Sequence, residues 1–325
     1  MKKMLIAVLS GGPSSEYEVS LKSGEMVREG LDINRYEPVS VRIDKSGVWE
    51  ISPEDIRKNM NCAFIAMHGT YGEDGTVQRI LESHRIPYTG SDSLASAIGM
   101  NKFLSSRLFK DAGLSVPDTV LVAKNEWRSS LDAVVLKAEY NLGYPMVVKP
   151  NNQGSSVDVF IVKNRWELKD AVTHTLSFYK ETLVQKFVSG REFTCGVLDH
   201  GWADSAFPLA PIEIIPQSSP FFDYKAKYET GGSLEITPPE NVSSADMRRI
   251  RDAAVLAHRL INASGVSRTD MIMDSDGRLF VLEINTIPGL TRESLIPKGA
   301  GASGISFSRL LDMIVRAAIA RHKLG

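Results

Sequence analysis

The sequence predicts an α/β domain built on a parallel sheet, followed by a larger α+β region with mainly antiparallel strands. Apolar strand-like runs alternate with helical segments through residues 1–98, the pattern of helices covering both faces of a parallel sheet. From about Ser93 onward, short strands cluster between helices without that strict alternation. Near the C-terminus, DMIM and RLFVLEIN flank DSDG, which is a hairpin signal.

Taken in order, MLIAVL forms a first buried strand that stops at Ser10-Gly11-Gly12, and SSEYEVSLKSGEMVREGL has helical character. YEPVSVRI is a second strand, and CAFIAM is a third that ends at His68-Gly69. TVQRILESHR is helical and IPYTG is a short strand. GGPSSE and HGTYGEDG thus lie at the carboxyl ends of strands, where open α/β sheets collect ligands. SLASAIGMNKFLSSRLFKDAGL reads as one long helix stopped by Gly113. The strands TVLVA, PMVVKP, VFIVK, TLVQKFV and EFTCGVL follow, with one helix, EWRSSLDAVVLKAEYNLG, between the first two. Ile215 to Gly232 has neither helical nor alternating pattern, and a loop this long is expected to be a lid or binding loop rather than a solvated insertion. ADMRRIRDAAVLAHRLINASG is a further helix, leading into the hairpin and a C-terminal helix. Three units are expected: 1–98, 99–188 and 189–325.

The 325 residues are 43% hydrophobic and 24% charged with a net charge of −1, so no basic excess points to nucleic acid. Cys62 and Cys195 each sit in an apolar strand, as buried thiols of a reducing compartment do. MKKMLIAVLSGG lacks a cleavage site, and no apolar stretch reaches the roughly 20 residues that span a bilayer. A cytoplasmic protein with no membrane partner is expected.

The hairpin carries the chemistry. If Asp274 pairs with Gly277 across a two-residue loop, Asp270 lies opposite Val281 and Arg268 opposite Glu283. Alternation of side chains then gathers Arg268, Asp270, Glu283 and Asn285 on one face. Two carboxylates and an amide suit a hard cation such as Mg²⁺, which keeps waters and phosphate in its shell. A polar face in water is the plainer alternative, but FVLEIN is otherwise apolar and a bare buried carboxylate is costly. A three-residue loop would send Asp270 to the other face. Upstream, YPMVVKPNNQGSSV is a strand, Lys149 and a small-residue loop whose N–H groups can cradle phosphates. GAGASG at 299–304 matches a dinucleotide fingerprint but follows no strand, and it is read as the approach to a helix. No P-loop, HExxH, CxxC or GxSxG occurs.

GGPSSEYEVSLKSG, HGTYGEDGTVQ, PYTGSDSLASAIGMNK, VVKPNNQGSSV, FDYKAKY, SRTDMIM and LEINTIPGLTRESLIP resemble, in this order, the motifs of D-alanine–D-alanine ligases. The resemblance implies a Rossmann-like N-terminal domain followed by a two-lobed ATP-grasp domain. It also implies a reaction in which ATP phosphorylates one D-alanine and the amine of a second displaces phosphate. ATP and Mg²⁺, or Mn²⁺ in its place, as two ions, are the implied cofactors, and a homodimer the implied assembly.

By matching position, Glu16 holds the first substrate's ammonium group with His68 nearby, and Ser155 and Tyr228 link to Glu16. Lys102, Lys149 and Lys227 face phosphates, and Glu192 binds ribose. Gln185 stands at the adenine-side hinge, and Lys186 and Val188 also bind ATP. Asp270, Glu283 and Asn285 hold the metal, Arg268 and the Gly289 backbone stabilise oxyanions, and Ser294 and Leu295 line the second-substrate pocket. Taken singly, Glu16 and Ser294 are also plain N-cap candidates. Gln185 replaces a glutamate common in the family, and Asp158 stands where glycine is usual, so its carboxylate should point away from phosphates. Tyr17 and Asn101 also differ from the commonest residues. D-alanine–D-lactate and D-alanine–D-serine ligases share the motifs, and a non-catalytic sensor of ATP and D-amino acids is the non-enzymatic alternative.

Overall fold

The computed structural model describes residues 2–155, 157–216 and 233–324. Three sheets organise the chain. The first is parallel, order β2-β1-β3, from β1 (Met4–Gly11), β2 (Tyr36–Ile43) and β3 (Cys62–Ile65). Helices α1 (Tyr17–Gly30) and α2 (Pro53–Asn59) make the crossovers, and α3 (Thr76–Ser83) follows β3. Ser52 caps α2 by accepting from Asp55 N–H, and Pro53 suits its first turn. IPYTG contributes only a bridge, Tyr88 beside Ala63.

β1 is buried on both faces, as a central parallel strand should be. Ala7 and Leu9 pack with Ile65, Val77 and Leu81. Ile6 and Val8 pack with Leu310, Leu311 and Ile314 of the last helix, which returns to cover the first sheet.

The expected single helix over 93–113 is two helices, α4 (Ser93–Met100) and α5 (Lys102–Asp111). Asn101 breaks them: its backbone is extended and its side chain accepts from Leu104 N–H, capping α5. EWRSSLDAVVLKAEYNLG likewise divides into α6 (Lys124–Ser129) and α7 (Leu131–Leu142), because Ser130 caps the second by accepting from Ala133 N–H. In both cases a short polar side chain competes with the helix for backbone donors.

The second sheet is antiparallel, order β4-β7-β5-β6, from β4 (Thr119–Ala123), β5 (Met146–Pro150), β6 (Phe160–Val162) and β7 (Glu181–Lys186). It packs on α7 and α8 (Arg165–Phe178). The third sheet runs β11-β10-β8-β12-β13, with β9 (Phe207–Pro208) beside β8. Its other strands are β8 (Arg191–Leu198), β10 (Ile212–Pro216), β11 (Ser233–Ile236), β12 (Val266–Met273) and β13 (Leu279–Asn285). Helix α9 (Ser244–Leu260) covers one face; α10 (Leu295–Ala302) and α11 (Phe307–Leu324) complete the chain. GAGASG falls on α10 and the turn after it. Ile215 and Pro216, expected in the long loop, belong to β10, and 217–232 lie outside the described residues.

The β12–β13 register differs from the expected one in two compensating ways. The loop has three residues, not two: Asp274 N–H donates to Arg278 O at 2.9 Å, and Gly277 takes φ +76°. Alone, this would turn Asp270 to the wrong face. A bulge then restores it, since Met271 pairs with Val281 but Asp270 pairs with Glu283, leaving Leu282 as the extra residue. Burial follows the bulge: Leu279 and Val281 are buried before it, Ile284 after it.

Candidate active site

The bulge places Arg268 opposite Asn285 and Asp270 opposite Glu283. The four side chains therefore share one face, as expected, although Asp270 faces Glu283 rather than Val281. Arg268 holds Asp270 through two hydrogen bonds, Nε to Oδ1 at 2.9 Å and an Nη to Oδ2 at 2.8 Å. Thr194 on the neighbouring strand β8 donates to Asp270 Oδ1 at 2.6 Å. Burial works against the Arg268 charge, but Asp270 and Glu283 outweigh it and hold the guanidinium's pKa above its usual value. Lys102 Nζ, at the start of α5, lies 3.3 Å from Glu283 and 2.6 Å from the carbonyl of Gln153.

Glu16 sits at the N-cap of α1, yet its side chain makes no cap hydrogen bond. It accepts instead from the Ser155 hydroxyl, 139 residues away. Simple capping therefore does not explain Glu16. Ser155 stands at φ +54° in the loop after β5. Gly69 and Gly154 border Glu16 closely: a Cβ at Gly69 would come within 2.9 Å of its carboxylate.

His68 lies behind Glu16, with Nε2 at 2.8 Å from Ser23 Oγ and Nδ1 at 3.5 Å from Glu73. Burial and the nearby Glu16 charge raise the Glu73 pKa, with the His68 bond opposing them. Glu73 was not singled out from the sequence. Its only signal was its place in HGTYGEDG, and the pairing appears only when the 69–75 loop folds back on the strand end.

Ser294 is the N-cap residue of α10, again without a side-chain cap bond. Its hydroxyl accepts from Thr291 N–H at 3.1 Å and lies 2.8 Å from Thr291 Oγ1. A Cβ on Gly289 would approach the Ser294 hydroxyl to 2.7 Å, so the backbone there can come close to a ligand.

These residues line a cavity of about 740 Å³ that gathers Glu16, His68, Glu73, Ser155, Arg268 and Glu283 with Asn285, Gly289, Ser294 and Leu295. A second cleft of about 200 Å³ lies between the second and third sheets. It is lined by Lys149, Gln185, Lys186, Val188 and Glu192, with Val147, Ile161, Phe193 and Leu282 as apolar walls. Lys102 and Glu283 line both spaces and so mark where they meet. Every site residue named from the sequence lines one or both spaces, Asp270 the smaller alone, except Lys227 and Tyr228, which lie outside the described residues.

Asp158 does point away: it accepts from Tyr179 Oη at 2.7 Å and lies 3.1 Å from His174 Nε2. It takes φ +55°, a conformation glycine would enter more easily. Among the described residues, no three His, Cys, Asp or Glu side chains are grouped to hold a metal. Asp270, Glu283 and Asn285 offer the sparse hard-oxygen set that Mg²⁺ accepts.

Family models match both parts of the chain: "D-ala D-ala ligase N-terminus" over residues 5–61 and 50–91, and "D-ala D-ala ligase C-terminus" over 108–316. A D-alanine–D-alanine ligase of Syntrophobacter fumaroxidans is 45% identical over 319 residues, covering 98% of both chains. The VanG D-Ala:D-Ser ligase of Enterococcus faecalis is similar in structure, with a TM-score of 0.85, 31% identity and coverage of 98% of this chain and 100% of that one. So is the D-alanine–D-alanine ligase of Bacillus anthracis complexed with ATP, with a TM-score of 0.80, 33% identity and 99% coverage of each chain.

Proposed function

As a member of the D-alanine–D-alanine ligase family, the chain is an ATP-dependent ligase that joins two D-alanine molecules, and we propose a division of labour among its site residues. The fold is ATP-grasp behind a Rossmann-like N-terminal domain. The product, D-alanyl-D-alanine, serves peptidoglycan precursor synthesis, and ADP and phosphate are released. We assign 1–98 to the N-terminal domain, 99–188 to the central lobe and 189–325 to the C-terminal lobe, with the last helix lending its apolar face to the first sheet.

The meeting of the two spaces at Lys102 and Glu283 carries this assignment. ATP fits the smaller cleft, with its base against the apolar walls and Gln185 and its phosphates toward Lys149 and Lys102. Glu192 takes the ribose. Both amino acids fit the larger cavity. Glu16, oriented by Ser155, receives the first ammonium group. The first carboxylate then attacks the γ-phosphorus in line, ADP leaves, and an acyl phosphate forms. The second amine, as its free base, attacks the acyl carbon, the C–O bond breaks, and phosphate departs carrying the proton that the nitrogen sheds. Arg268 and the Gly289 N–H stand where negative charge grows on oxygen, and fixed donors in a shielded site act strongly there. Ser294 and the Leu295 side chain hold the second substrate.

Asp270, Glu283 and Asn285 would hold Mg²⁺, which would neutralise phosphate charge when bound. Lys102 and Arg268 already balance the two carboxylates, so the face tolerates its acidic groups before a cation arrives. A cytoplasmic location and a homodimer belong to the same proposal.

Phosphate release by the purified protein across D- and L-amino acids, D-serine and D-lactate tests the assignment. Release that needs ATP, D-alanine and Mg²⁺ supports it. Exclusive coupling to D-lactate or D-serine would change the acceptor, and release no greater than background would favour a sensor.

A further inference from the structure

We propose that Thr119 is a positioning residue that sets the nucleotide preference, by holding the Gln185 amide with its carbonyl oxygen available to the base. The inference rests on ATP binding in the smaller cleft and goes beyond it, because it concerns which base the cleft prefers.

Thr119 and Gln185 are directly opposite on β4 and β7, and Val147 is opposite Gln185 on β5. All three therefore present their side chains on the same sheet face, the one that carries Lys149 two residues beyond Val147. Gln185 is buried and lines the cleft. Its Nε2 donates to Thr119 Oγ1 at 2.9 Å. The Thr119 hydroxyl has one proton, which it donates to Pro117 O at 2.9 Å. Toward Gln185, Thr119 can then only accept.

This chain of bonds fixes the amide. Turning it over would set Gln185 Oε1 against an oxygen whose proton is committed. The hydroxyl would have to abandon Pro117 O, leaving that buried carbonyl one donor short. The native arrangement leaves Oε1 as the group offered to the nucleotide, and among the described residues no donor satisfies it. An oxygen there accepts from an exocyclic amino group, as on adenine. It faces a 6-oxo group, as on hypoxanthine, with like polarity. A glutamate in this position would be an acceptor whichever way it turned. A glutamine needs an orienting partner, and Thr119 is that partner.

The test compares ADP and IDP binding by calorimetry to the full-length protein, its T119V and T119S variants, and Q185E. The bases also differ at N1, so the informative quantity is the change in the ADP:IDP affinity ratio between variants. The parent should prefer ADP by roughly tenfold or more, the scale of one mismatched buried hydrogen bond. T119V frees the amide to turn and offer its NH₂, so the ratio should fall about fivefold or more, mainly through tighter IDP binding. T119S keeps the hydroxyl and should restore the parental ratio. Q185E has no donor to offer and should keep the ADP preference. A T119V ratio within twofold of the parent would overturn the proposal. Should T119V fail to fold, T119A removes the same hydroxyl: a ratio within twofold of the parent there would overturn the proposal, and a fall of about fivefold or more would support it. Binding is read without turnover, so failure of the ligase assignment would show separately, as absent D-alanine-dependent phosphate release from a protein that still binds ADP.

Discussion

Replacing Glu283 with glutamine separates catalysis from folding at one atom. The side chain keeps its shape and loses its charge. In the folded protein that charge lies 3.3 Å from Lys102 Nζ, where the gross attraction is about 5 kcal/mol at an effective dielectric near 20. Glu283 is 26% exposed, and Lys102 keeps its 2.6 Å bond to Gln153 O. Screening and that second partner should reduce the net stability loss to about 1 kcal/mol, roughly 2 °C in Tm for a chain of this size. Turnover should suffer far more. Glu283 stands where the two clefts meet, and loss of one preorganised electrostatic group at a reacting centre costs on the order of 10²–10³-fold. The assay is phosphate release at saturating ATP, Mg²⁺ and D-alanine, run beside thermal melts. Turnover within about fivefold of the parent would refute the placement of Glu283 at the reacting centre. A Tm loss of 10 °C or more would show instead that the charge mainly holds the fold.

Ser155→Ala removes the hydroxyl that Glu16 accepts from, and kcat/KM for D-alanine should fall by roughly 10- to 100-fold, the range for a hydrogen bond to a charged group; steady-state kinetics will show it. Asp312 tests the joint between the last helix and the first sheet. Burial opposes its ionisation, but bonds from Tyr36 and Arg35 and the nearby Arg316 charge outweigh it and hold its pKa below the usual carboxylate range. The stability it contributes is therefore complete at neutral pH, well above the usual carboxylate range, and is lost as pH falls through that lowered value. Asp312→Asn should cost about 1–3 kcal/mol at pH 7, and parent and variant should converge in acid, as followed by urea unfolding. Cys62 and Cys195 are buried free thiols, each pushed up to about 12 by burial, so a thiol reagent at pH 8 should react with neither until denaturant is added.

Much of this molecule was legible in the sequence because its signals were local. Strand runs ending in glycine gave the first sheet, and alternation in FVLEIN put Glu283 and Asn285 on one face. Where a side chain competes with its own backbone, the signal was misread. Asn101 and Ser130 look tolerable inside helices, but each caps a new one. The hairpin shows a different limit. The two-residue turn was wrong and the shared face of Asp270 and Glu283 was right, because a bulge at Leu282 cancels the longer turn. Periodicity counts residues and cannot see one that is left unpaired. Thr194 and Glu73 were missed because their partners, Asp270 and His68, are brought to them only by sheet order and loop return.

Isotope transfer tests the central claim most directly. D-alanine carrying ¹⁸O in its carboxylate should be supplied with ATP, and the released phosphate examined by mass spectrometry. If the carboxylate attacks the γ-phosphorus where the two clefts meet, each peptide bond formed should deliver one ¹⁸O to phosphate. Unlabelled phosphate released alongside D-alanyl-D-alanine would contradict the account.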